Sequence, residues 1–160
     1  MAKKGKKELE EILEAQKEEK ILEAQKFVTE CKKKAAKNAK QFNEISTCVL
    51  IGMFIVGIID MVFQSVPFIM LLMGIATMVF GFLPKLITHF GYLKRFKNNL
   101  IAKTLTEDLL VKYRHNEGDF ADTDKEKALG TFATKFQEIK SNLDKVEIEI
   151  LEDTNQLINK

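Results

Sequence analysis

The chain has 160 residues, of which 46% are hydrophobic and 30% charged, and its formal net charge is +2. These averages hide a segregated block, because residues 45–84 contain a single charged side chain, Asp60. A block of this length and apolarity is no soluble loop and exceeds what a buried core helix needs, so the composition predicts a membrane protein. The two cysteines, Cys31 and Cys48, give no disulfide framework.

The first 44 residues predict a charged helical arm. The sequence ILEAQK occurs at 12–17 and again at 21–26, an offset that puts the two copies on opposite faces of an ideal helix. A continuous apolar seam therefore starts only at the second copy. Its members are Ile21, Ala24, Val28, Cys31, Ala35, Asn38, Phe42 and Ile45. Because most of them are small, the seam indicates packing beside another helix rather than a strong dimer of its own.

The apolar block predicts two membrane spans joined as a hairpin. Residues 45–63 would rise roughly 28 Å as a helix, close to the ~30 Å hydrocarbon core of a bilayer. The turn and breaker residues QSVP follow, and residues 68–83 form a second, slightly shorter span. Because the connection is so tight, the two spans must run antiparallel. The alternative from the sequence is a pair of long buried helices in a soluble core.

Each predicted span carries a stripe of small or polar residues. The stripes include six small or polar residues, which are Gly57, Asp60 and Gln64 in the first span and Gly74, Thr77 and Gly81 in the second. Small residues let helices approach closely in lipid, and polar residues hydrogen-bond across them. We therefore expect the stripes to pack together, with Asp60 near the turn, ~4.5 Å below the membrane surface. The alternative is a ring of Asp60 and Gln64 at the mouth of an oligomeric pore.

Lysine and arginine cluster outside both predicted spans and are absent from the turn between them. They are Lys32, Lys33, Lys34, Lys37 and Lys40 before the first span and Lys85, Lys94, Arg95 and Lys97 after the second. This distribution predicts that both termini lie on the cytoplasmic side, in a bacterial inner membrane or an organelle membrane. Beside a span, these cations indicate contact with anionic lipid headgroups, and we expect no nucleic acid partner.

The second half of the chain predicts a basic juxtamembrane helix at 85–116 and an acidic coiled-coil helix at 117–160. Thr123 and Glu126 form a capping box at the start of the coiled coil. Its apolar stripe, with 3–4 spacing, is Leu129, Phe132, Phe136, Ile139, Leu143, Val146, Ile150 and Leu157. A single amphipathic helix cannot bury such a stripe alone. The candidate partners are a second copy, another subunit, or the thinner seam of residues 21–45.

No pattern in the sequence indicates catalysis. His89 and His115 lie in different contexts, and no cluster of cysteine, histidine and aspartate has the spacing of a metal site. The acidic residues near 119–126 lack the EF-hand pattern. A phosphate loop, a nucleophile elbow and a dinucleotide fingerprint are all missing. We therefore expect a protein that is not an enzyme and that needs neither a cofactor nor a metal.

The order of charged helix, span, short turn, span and charged helix resembles mitochondrial calcium uniporters and chlamydial inclusion-membrane proteins. The stretch IIDMVFQSVP differs from the uniporter pore motif WDxxEP, since it has no tryptophan and its aspartate and proline are spaced differently. The N-terminus, rich in lysine and glutamate, is unlike the secretion signals of the inclusion-membrane proteins. The resemblance is one of architecture and assigns the chain to neither family.

Taken together, these patterns predict an all-α membrane protein, in which a two-span hairpin is flanked by amphipathic or coiled-coil helices. Its expected function is that of a scaffold or anchor subunit, which assembles through cytoplasmic helices with itself or with a larger membrane complex. The alternative function is an oligomeric ion-conducting pore with Asp60 and Gln64 at its mouth. The expected partners are membrane lipids, further copies of the chain and other membrane-complex subunits.

Overall fold

The computed structural model describes residues 2–62, 67–89, 91–121 and 124–158, and these residues are almost entirely helical. The helices are α1 (Ala2–Val62), α2 (Pro67–His89), α3 (Tyr92–His115) and α4 (Lys125–Ile158), with a short 3-10 turn at Gly118–Phe120. No β-strand occurs within the described ranges. The all-α class predicted from the sequence is confirmed.

Helix α1 joins the predicted N-terminal arm and the predicted first span into one helix of 61 residues. The stretch from Lys32 to Ser46 contains no proline or glycine, and it is rich in lysine and alanine, which are good helix formers. The backbone therefore has no reason to break where the composition changes from charged to apolar.

The boundary between the second and third helices differs from the one that the sequence indicated. The expected break was at Pro84, but α2 continues through this proline to His89, and the chain turns at Gly91. A proline inside a helix removes one backbone hydrogen bond, and other interactions can outweigh that cost. Gly91 has a φ of +64°, which favours glycine, and its carbonyl accepts a 2.8 Å hydrogen bond from the Arg95 amide at the start of α3.

The chain divides into two compact units. The first unit comprises Met1–Ala35 and Lys97–Glu147, and the second comprises Ala36–Phe96 and Ile148–Lys160. The first unit is therefore built from the N-terminal half of α1, most of α3 and the first two thirds of α4. Helix α1 supplies residues to both units.

The core of the first unit is centred on Phe132, which is fully buried. Its ring lies 4.7 Å from that of Tyr113 and 6.2 Å from that of Phe136, measured between centroids. Ala24 of α1 is also fully buried in this cluster, because a side chain that small lets α1 approach the aromatic residues closely. Phe27 of α1 meets Phe136 edge-on at 5.4 Å.

The apolar stripe predicted on the C-terminal helix lies mainly in this core. Its buried members are Leu129, Phe132, Phe136, Leu143 and Ile150, and its half-buried members are Ile139 and Val146. Leu129, Phe132, Phe136 and Leu143 belong to clusters that also contain residues of α1 and α3. In the structure, therefore, the seam on α1 of the same chain packs against this stripe. Ile150 belongs to the second unit, and the Leu157 side chain lies outside the described part.

Polar contacts add specificity to the packing of α1 on α4. The Glu23 carboxylate accepts 3.0 Å hydrogen bonds from Lys20 on its own helix and from Lys140 on α4. Both contacts keep the pKa of Glu23 below its usual range. Cys31 is buried beside Ala102 and Leu143, and this burial raises the pKa of its thiol. A buried thiol with a raised pKa has little thiolate character, so Cys31 serves packing rather than reactivity.

The connection from α3 to α4 is closed by a helix C-cap. Asn116 has a φ of +52°, and the Glu117 amide donates a 2.9 Å hydrogen bond to the Lys112 carbonyl, which is the pattern of a Schellman motif. This reversal lets Phe120 enter the core, where it is 2% exposed. The predicted cap residue Thr123 lies outside the described residues. The first hydrogen bond of α4 runs from the Ala128 amide to the Asp124 carbonyl.

Replacing Gly91 by alanine should lower the stability of the protein. A Cβ at this position would lie 2.7 Å from Cγ2 of Ile150, and the positive φ adds backbone strain. Together these effects should cost about 2 kcal/mol. The matched control is Gly130→Ala in α4, where a Cβ would meet open space and helix propensity should add about 0.5–1 kcal/mol. Thermal unfolding in detergent, followed by circular dichroism, should show a lower midpoint for Gly91→Ala and a higher one for Gly130→Ala. An unchanged midpoint for Gly91→Ala would contradict the packing of Ile150 on Gly91.

Candidate functional site

The second unit exposes an extensive apolar surface on the C-terminal part of α1 and on α2. Phe54 is 70% exposed, Met61 is 78% exposed and Met78 is 72% exposed. Other large exposed side chains are Leu50, Ile51, Ile55, Ile58, Val62, Phe68, Leu71, Leu72, Ile75, Val79 and Phe82. Soluble proteins rarely expose apolar patches of this extent, and larger patches mark contact with membranes or other proteins.

One described helix is long and apolar enough to cross a membrane. It is the segment Glu10–Val62 of α1, and its most apolar part is almost entirely exposed. That exposure distinguishes it from the core helix of a soluble protein, whose apolar side chains are buried. In α2 the apolar stretch Leu71–Phe82 is shorter than a full span.

Asp60 lies on a groove between α1 and α2 within this unit. The groove has a volume of about 480 Å³, and Gly57, Gly74 and Thr77 are among its lining residues. Four of the six stripe residues predicted from the sequence therefore meet at one feature of the surface. Gly81 is exposed and does not line the groove, and Gln64 lies outside the described residues. Asp60 itself is exposed beside this groove.

The glycines of the two stripes face open space rather than a neighbouring helix. A Cβ added to Gly57, Gly74 or Gly81 would meet nothing within 4 Å. The Thr77 hydroxyl donates a 2.8 Å hydrogen bond to the Met73 carbonyl of its own helix, which satisfies it there. Gly57, Gly74 and Thr77 border the groove, and none of the three glycines forms a tight helix contact.

A close contact between the two helices occurs at Gly52 and Phe80, a pair that the sequence does not single out. A Cβ on Gly52 would overlap the ring of Phe80, so the aromatic side chain occupies the space that glycine leaves. Close contact over a glycine is a common way for helices to associate in lipid. Each apolar run contains two glycines, Gly52 and Gly57 in the first and Gly74 and Gly81 in the second. Spacing cannot tell which of these glycines receives an aromatic ring.

The predicted headgroup contacts are mostly exposed. Lys32, Lys33, Lys34, Lys37, Lys40, Lys94 and Lys97 are exposed, and Arg95 is half-buried. Lys40 lies 3.7 Å from Glu44, and Lys94 lies 3.1 Å from Glu149. The side chain of Lys85 lies outside the described part. Surface pairs of this kind contribute little energy, so the cations stay available to an anionic surface.

Clustered ligands for a metal ion do not occur in the part of the chain that the structure describes. No group of three or more histidine, cysteine, aspartate or glutamate side chains is arranged to hold one there. Asp119, from the acidic segment considered above, forms an ion pair with Lys135, and that pair lowers the pKa of its carboxyl. The Asp119 side chain thus connects the loop to α4.

Comparison with known proteins gives no relative for this chain. No family model matches it, and no curated protein and no solved structure matches it either. Its function must therefore be argued from its own surface and packing.

Replacing Gly52 by alanine should separate α1 from α2. The new methyl group would overlap the Phe80 ring, so the ring or the helix must move, at a cost of about 1–3 kcal/mol. The control Gly57→Ala adds a methyl group to open space and should leave the melting temperature unchanged or slightly higher. Adding Phe80→Ala to Gly52→Ala should recover part of the loss, because the smaller residue makes room. Equal melting temperatures for Gly52→Ala and Gly57→Ala would show that Gly52 does not receive the ring.

Proposed function

We propose that this protein is a membrane-anchored helical scaffold that is not an enzyme. In this proposal the C-terminal part of α1 and the apolar part of α2 form a two-span hairpin in the bilayer. The first unit then lies in the cytoplasm, together with both termini. Scaffolding means that this unit holds further copies of the chain, or other subunits of a membrane complex, at the membrane surface.

The observation that carries the proposal is the contrast between the two units. Phe132 and Ala24, at the centre of the first unit, are fully buried, as in any protein that folds in water. The second unit turns large apolar side chains such as Phe54, Met61 and Phe82 outward. Burying apolar area stabilises by roughly 25 cal/mol per Å², so such a surface is far more favourable in hydrocarbon than in water. Lipid is the solvent that matches this exterior.

The charges beside the apolar segment support the orientation. Lys32, Lys33, Lys34 and Lys37 are exposed on α1 before the apolar stretch begins. Lysines next to a span favour the cytoplasmic side, and each contributes about 1 kcal/mol of attraction to anionic lipid. Lys94 and Lys97 follow α2 and are exposed as well, so both ends of the hairpin favour the same side.

Exposed apolar residues on α3 support assembly. Leu100 is 43% exposed, Ile101 is 56% exposed and Leu105 is 49% exposed. Ile101 and Leu105 line a groove of about 120 Å³ together with Ile139 and Val146 of α4. The stripe of α4 is therefore only partly covered at this end, and a further helix can complete its burial.

The hairpin predicts that both termini are on one side of the membrane. Reporter domains fused before residue 1 and after residue 160 should both report the cytoplasm. A single cysteine in the segment 64–66, in a variant without Cys31 and Cys48, should react with an impermeant thiol reagent from the opposite side. Replacing the five lysines between 32 and 40 by glutamine should weaken the preference of the N-terminal arm for the cytoplasmic side, because it removes the positive charge that retains the arm there. Termini on opposite sides would refute the hairpin.

Assembly should depend on the α3 face. Ile101→Asp with Leu105→Asp puts two charges on this surface without disturbing the buried core, so the protein should stay folded and inserted. If the face binds a partner, each buried charge costs several kcal/mol and the complex should be lost. The measurement is particle size in detergent. The control is a double variant with Ile12→Asp and Leu22→Asp, two changes at exposed positions of α1. A particle of wild-type size would contradict assembly through α3. If the reconstituted protein conducts ions and Asp60→Asn alters that conductance, the result would support the alternative function of an oligomeric pore instead.

A further inference from the structure

The first unit contains a cavity at the end of the bundle where α3 turns into α4. Its volume is about 390 Å³, which lies within the range of small-molecule sites. The cavity lies between the N-terminal half of α1 and the connection that carries Phe120. Its apolar lining includes Leu13, Phe120 and Leu129, and polar groups reach it from all three helices. A mixed lining of this kind favours a ligand with an apolar body and a polar head.

Tyr113 provides a polar group inside this cavity. The residue is 6% exposed, and its ring is held at 5.3 Å from Phe120 and 4.7 Å from Phe132, between centroids. Among the described residues no protein group forms a hydrogen bond with its hydroxyl. Burial raises the pKa of the phenol, so the hydroxyl keeps its proton and remains a donor. The ring is buried, but the hydroxyl is not one of the buried polar atoms without a partner, so its oxygen is accessible from the cavity and can donate to a bound acceptor in place of water.

Two ammonium groups stand at the same cavity. The Lys17 nitrogen lies 5.5 Å from the centroid of the Tyr113 ring, and Lys125 lines the cavity from the first turn of α4. Within the described part of the chain neither lysine has a carboxylate within ion-pair distance. Glu14 also lines the cavity, so the charge around it sums to +1. That sum favours a monoanion, because the Glu14 carboxylate repels a second negative charge.

We propose that this cavity binds a small organic monocarboxylate with an apolar body. The body packs on Phe120 and Leu129, and the carboxylate lies between Lys17 and Lys125. The Tyr113 hydroxyl donates a hydrogen bond to a carboxylate oxygen. Asn116 at the C-cap of α3 supplies a further amide at the rim. This site is independent of the proposed anchoring function, because every residue in it belongs to the first unit.

The test uses the full chain in lipid nanodiscs and 3-phenylpropionate as the probe, with empty nanodiscs to subtract partition into lipid. Calorimetric titration should show saturable binding of one probe per chain. Binding of 3-phenylpropanol, which has the body without the charge, should be at least tenfold weaker. Binding of acetate, which has the charge without the body, should also be at least tenfold weaker. No saturable binding above empty nanodiscs would overturn the proposal.

Variants then assign the binding to this cavity. Tyr113→Phe removes only the hydroxyl and keeps the ring packing, so the melting temperature should not fall while affinity drops about threefold to tenfold. Lys125→Gln should reduce affinity by a similar factor. Lys127→Gln changes an exposed lysine on the same helix that does not line the cavity, and it should leave affinity unchanged. Saturable binding that Tyr113→Phe and Lys125→Gln leave intact would place the probe elsewhere and refute the site.

Discussion

The structure depends on the continuity of α1, whose single backbone serves two different surroundings. In its first half, Ala24 and Cys31 point into a core and polar residues face outward. In its last part, Phe54 and Met61 are exposed and the interior contact is made over Gly52. A helix satisfies its backbone hydrogen bonds within itself, so it can continue from a charged segment into an apolar one without leaving backbone groups unpaired.

The two units use different physical means to hold helices together. In the first unit the aromatic residues Tyr113, Phe120, Phe132 and Phe136 fill the space between three helices, and burial of apolar area supplies the stability. In the second unit the apolar side chains face outward. Helices α1 and α2 come close together where their shapes fit, because the Phe80 ring occupies the space beside Gly52. This difference is expected if the second unit lies in lipid, since apolar burial gives no advantage there and close packing must replace it.

Polar groups in this chain have separate tasks that follow from their surroundings. Glu23 joins α1 to α4 through Lys140 and also pairs with Lys20 of its own helix, at the edge of the core, where partial burial strengthens the contacts without a large desolvation cost. Asp60 is exposed beside a groove on an otherwise apolar surface. Tyr113 is buried with its hydroxyl at a cavity, so its ring contributes to the core while its oxygen remains available. The same aromatic cluster thus supports both stability and the proposed binding site.

The sequence by itself determined the helical class, the apolar block around Asp60 and the face of α4 that is buried. Periodicity and composition suffice for these, because the 3.6-residue repeat fixes which side chains share a face and the absence of charge marks the apolar block. Only the tertiary structure decided that the α4 stripe is covered by Ala24, Phe27 and Cys31 of the same chain, since periodicity defines a face without its partner. The contacts of Gly52 with Phe80 and of Gly91 with Ile150, and the cavity at Tyr113, also required the structure. Each depends on the distance between residues far apart in the chain, which local sequence does not encode.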